Sequence, residues 1–138
     1  MNTFRTGTFG LWFAALSWGA LGVLYFIDPH FMFDFYGIPL ESANAMNMIR
    51  GVYGGNFLGI ATLWVLGALK VRYRDAALLS MFVGMAGFTC GRSMSLLMDG
   101  MPTWQMLMWL GFEFSGALFS GYALSLGLAR PTAWQGGK

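Results

Sequence analysis

From Phe9 to Ile27 the chain carries no charged residue, and three further apolar stretches, Met46–Leu69, Ala76–Met98 and Trp104–Leu128, are each interrupted by a single charge. A helix rising about 1.5 Å per residue needs about 20 residues to cross a hydrocarbon core about 30 Å thick, and each stretch is long enough. Charged residues make up 10% of the 138, against about 25% in an ordinary soluble domain. A water-soluble fold of this length has too much surface to cover with so few charges. The sequence therefore predicts an all-α integral membrane protein. It is one domain over residues 1–138, a four-helix bundle with spans near 9–27, 46–69, 76–98 and 104–128.

The breaks between the stretches carry turn chemistry: Asp28-Pro29-His30, the run Lys70 to Asp75, Asp99-Gly100-Met101-Pro102 and Arg130-Pro131. Arg5 ahead of an apolar run could open a secretory leader, but the run is long and bulky and lacks a small-x-small cleavage site before Asp28. A retained helix is expected. The basic residues outside the stretches are Arg5, Lys70, Arg72, Arg74, Arg130 and Lys138, and four crossings put all of them on one side. The opposite loops hold Asp28, Asp34, Glu41 and Asp99. Basic loops stay cytoplasmic, so both termini are expected inside, in a bacterial cytoplasmic (inner) membrane. The aromatic segment Pro29–Pro39 is expected to lie along the interface between the first two spans, over the outer mouth.

Three charges inside the stretches require a reason, since intramembrane charge is costly. Arg50, Arg92 and Glu113 fall at similar depths from the outer ends, and Asp99 sits seven residues beyond Arg92 on nearly the same face. These four are expected to form one polar constellation in the outer half. Arg50, Arg92, Asn47 and Tyr53 would hold a ligand, and Glu113 and Asp99 would supply acid–base chemistry. Mutual ion pairing that only specifies helix packing is the plain alternative. Gly51, Gly55 and Gly59 repeat every four residues and are expected to pack helices closely, inside the bundle rather than across a dimer seam.

The many methionines and the lone His30 raise soft-metal and haem sites. Met-x-Met spacing on a helix sends the sulfurs to nearly opposite faces, which argues against copper, and one interfacial histidine is ordinarily structural. The sequence requires no metal or other cofactor. One cysteine, Cys90, excludes an intrachain disulfide framework, and a net charge of +2 does not support nucleic-acid binding.

The set Arg50-Gly51-Val52-Tyr53-Gly54-Gly55, Gly91-Arg92, Asp99-Gly100-Met101-Pro102 and Glu113 resembles an uncharacterised bacterial family of small four-span membrane proteins carried as a domain of unknown function. The resemblance covers nearly the whole chain. It implies a four-helix bundle and treats Arg50, Arg92, Asp99 and Glu113 as a unit, without supplying an activity. Two functional expectations follow. The first is a membrane protein that binds a lipid-like or hydrophobic ligand or a membrane partner, alone, as a homo-oligomer or within a larger complex. The second is a minimal isomerase or hydrolase acting on an apolar substrate through Glu113 and Asp99. An ion conduit is disfavoured because polar residues thin out towards the cytoplasmic half.

Overall fold

The computed structural model describes residues 3–128, and the described chain is all-helical. It comprises α1 (Thr3–Ile27), α2 (Pro29–Phe35), α3 (Ala43–Ile49), a π-helical segment (Arg50–Gly55), α4 (Asn56–Leu69), α5 (Val71–Asp99) and α6 (Trp104–Leu128). The α3, π and α4 segments run on without a break. Gly7–Ile27 and Ala43–Leu69 are long and apolar enough to cross a membrane. The charged first turns of α5, the Arg92–Asp99 end and Glu113 in α6 dilute the apolar character of the last two helices. Arg130 and Lys138, two of the basic residues used to orient the chain, lie outside the described residues.

Each long helix buries one stripe. On α1 it runs Leu11, Ala14, Ala15, Trp18, Gly22 and Tyr25, the three- and four-residue steps of a single helical face. On the second helical rod the stripe steps by five from Ile49 to Gly54, then returns to Phe57, Ala61, Trp64 and Ala68. The five-residue step is the π segment, in which the Asn56 amide donates to the Gly51 carbonyl five residues back. One residue of extra phase rotates everything upstream of it by about 100° relative to an unbroken α-helix. α1 packs against α4, α4 against α5, and α5 against α6, with lesser contact between α6 and α1. Small residues set these approaches. Gly10 lies against Phe119 and Gly67 against Ala77, while at Gly22 a Cβ would meet the Leu58 amide nitrogen at 3.0 Å and the Gly54 carbonyl at 3.2 Å.

The expectation for Gly51, Gly55 and Gly59 needs correcting. All three are exposed, and nothing lies within 4 Å of a Cβ placed on Gly51 or Gly59. A small-xxx-small stripe reports a smooth face but not what lies opposite it. The approach to α1 is made by Gly54 and Gly22 instead. The expected six-residue turn at 70–75 also shrinks to Lys70, because α5 begins at Val71. That places Arg74 inside the helix, buried, donating to Thr8 Oγ1 at 2.7 Å across to α1.

The segment after α1 is a short helix with both ends secured. Asp28 caps α2, its carboxylate accepting from the amides of His30 (3.1 Å) and Phe31 (3.3 Å), with Pro29 in the first turn where its missing N–H costs nothing. At the other end Gly37 takes φ +69°, its amide donates to Asp34 O, and the Ile38 amide reaches back to Phe33 O at 2.8 Å. This is a Schellman turn, and it folds Ile38 back towards Phe33. Replacing Asp28 by Ala should cost about 1 kcal/mol, read as a lower thermal midpoint in detergent.

Candidate functional site

Beneath α2 the long helices enclose a hollow of about 140 Å³. Its walls come from one face of each helix: Trp18, Leu21 and Tyr25 of α1, Tyr53 and Phe57 across the π–α4 junction, Phe88 and Arg92 of α5, and Met106, Trp109 and Glu113 of α6. Phe33, Tyr36 and Ile38, from α2 and its Schellman turn, complete the lining. The rings brace one another. Trp18 stacks on Phe57 and on Phe112, and Tyr25 meets Phe33, Tyr53 and Phe57 at centroid distances of 5.3–6.1 Å.

An ion pair and a phenol hydroxyl stand in this aromatic wall. Arg92 Nε donates to Glu113 Oε2 at 2.7 Å, with the Glu113 side chain only 3% exposed and that of Arg92 34%. The α5–α6 turn makes the two helices antiparallel neighbours, which brings a residue near the end of one opposite a residue in the middle of the other. Arg92 Nη1 reaches the Met106 sulfur at 3.3 Å, a weak acceptor, and its remaining N–H groups have no protein acceptor among the described residues. The second group is the Tyr36 hydroxyl. It accepts from Trp109 Nε1 at 2.7 Å. Burial holds the Tyr36 phenol above its ordinary pKa, the Trp109 donor partly offsetting the rise, so it is protonated throughout the physiological range.

Arg92, Glu113 and Tyr53 therefore meet in one site, and three other expected members do not join them. Arg50 turns to the end of α1, where its Nε donates to the Phe26 carbonyl at 3.1 Å and satisfies one of the open carbonyls of that helix terminus. Asn47 is exposed on α3, one turn before the π segment whose extra phase the even 100° count could not include. Asp99 is exposed at the end of α5 and accepts from Ser95 Oγ at 2.8 Å, which leaves Glu113 without the second carboxylate that acid–base catalysis called for. The residues missed were the aromatics other than Tyr53. Trp18/Tyr25, Tyr53/Phe57, Phe88/Arg92 and Trp109/Glu113 are spaced by seven or four on their helices, so each helix's face through a charge or tyrosine could have pointed to them.

A second hollow of about 230 Å³ lies between α1, α5 and α6, lined by Phe9, Phe13, Met81, Met85, Phe112 and Phe119 among others, and is almost wholly apolar. The stacked Trp18–Phe112 pair separates it from the first, one ring lining each.

The family model described as domain of unknown function DUF4345 matches residues 7–124. The chain belongs to that family. The matched region includes all the residues of the aromatic pocket and both partners of the ion pair, and stops short of the final basic residues. No curated protein and no solved structure matches the chain.

Proposed function

We propose that this DUF4345 protein is a four-span protein of the bacterial cytoplasmic membrane that binds a small hydrophobic or lipid-like molecule in the pocket beneath α2, near the outer face. The observation that carries the reading is a charge-assisted pair, Arg92–Glu113, opening into a hollow walled by aromatic rings and roofed by a capped helix. An ion pair kept only for packing needs no hollow beside it. Large apolar side chains on every long helix point outward, among them Phe9 (74% exposed), Leu16, Leu69, Val83, Leu97 (83%) and Leu118, and a bilayer supplies the partner they lack. The basic residues set the termini and the Lys70 turn inside and α2 outside, with α2 lying along the interface. The outward-facing Gly51–Gly59 strip leaves room for a second copy or a larger membrane complex.

Two measurements test this. With Cys90 replaced by Ser, a Met101→Cys variant should react with a membrane-impermeant maleimide on intact cells. Protection of that position until the cells are lysed would reverse the orientation. Native mass spectrometry of the protein released gently from detergent should show a small bound molecule that is lost when Leu21→Trp fills the hollow. A bare protein, unchanged by that substitution, would reduce the ion pair to a packing device.

A further inference from the structure

We infer that the pocket selects an uncharged, single-ring molecule bearing a carbonyl oxygen, held between Tyr36 and Arg92; this rests on the ligand-binding reading above and specifies its chemistry. Three observations lead there. The first is size. A hollow of about 140 Å³ is close to the roughly 150 Å³ apolar cavity that accommodates one benzene molecule, so one six-membered ring fills it and a fused ring system would protrude from it. The walls are ring faces and edges, which suits a flat guest.

The second is the direction of the hydrogen bonds. A phenol has two acceptor positions and one hydrogen. Trp109 donates to Tyr36, and the Tyr36 hydrogen can turn to a guest that accepts. Arg92 has only donors, and those beyond Nε and the Met106 contact are unspent among the described residues. A guest held here must accept.

The third is charge. Arg92 and Glu113 already balance each other, so a carboxylate or phosphate entering the hollow would bring an uncompensated negative charge into a largely apolar chamber. A neutral carbonyl takes the same hydrogen bonds without that cost. Three molecules of similar shape separate these possibilities: acetophenone offers a neutral carbonyl, cumene no acceptor, and benzoate an anion.

Binding to the full-length protein in nanodiscs, followed by saturation-transfer NMR with empty nanodiscs subtracted, should rank acetophenone about tenfold above both others. Tyr36→Phe should weaken acetophenone about five- to tenfold while cumene stays within twofold, because the hydroxyl is removed and the ring that lines the hollow is kept. Arg92→Lys keeps the charge but loses the planar pair of terminal nitrogens, and should narrow the same gap. Unchanged cumene binding in each variant shows that the hollow is still formed. Cumene matching acetophenone in the native protein would overturn the donor assignment while leaving a ring-binding pocket. Benzoate binding most tightly would overturn the choice of a neutral guest. If none of the three saturates, this inference fails, and the ligand-binding reading is then decided by the native mass spectrum alone.

Discussion

Replacing Arg92 by Leu should destabilise the protein by about 2–3 kcal/mol, the low side of what breaking a buried ion pair costs, because the guanidinium itself is one-third exposed. The loss comes from what stays behind. Glu113 is almost completely enclosed, and without its partner the carboxylate is stranded in a hollow lined by Trp18, Phe88 and Trp109. Removing both partners in Arg92→Leu/Glu113→Leu should recover most of the loss, since apolar groups of similar size make no such demand. Thermal unfolding of the four proteins in one detergent closes the double-mutant cycle. A double variant as unstable as the single one would show that Arg92 acts by packing over Met106 rather than by neutralising Glu113.

The second large effect is steric. Gly22 sits where α1 crosses the π–α4 junction, and a side chain there would press on the Leu58 amide and the Gly54 carbonyl, neither of which can swing aside. Gly22→Leu should therefore cost about 3 kcal/mol, at the upper end for an overpacked core, and part the two helices that carry Trp18, Tyr25, Tyr53 and Phe57. Ligand binding should fall with stability in that variant. Gly59→Ala is the contrast. With open space around it and a helical backbone, it should stabilise by up to about 1 kcal/mol. Equal behaviour of the two variants in a melting experiment would mean that the α1–α4 approach is looser than the Gly22 geometry requires.

These contrasts show how far a single chain of letters reaches. The helices were legible because their signal is local: long apolar runs, a proline after Asp28, and a Gly-Met-Pro break after Asp99. Arg50, Arg92 and Glu113 stood out for the same reason, each being the lone charge of its run. Aromatic lining residues were hidden because Trp, Tyr and Phe are equally at home in a core, a pocket wall or a bilayer interface, and spacing alone does not say which.

The charge-poor runs with which the sequence began determine the all-helical class of the fold and the presence of charges that need partners. Which charges would pair was not theirs to settle. That depended on a single extra residue of helical phase at Arg50–Gly55 and on the turn that sets α6 antiparallel to α5. The first sent Arg50 to the end of α1, and the second left Arg92 facing Glu113. Side-chain direction on a helix follows from counting only while every turn is the same. Where one turn is wider, the tertiary structure decides which faces meet.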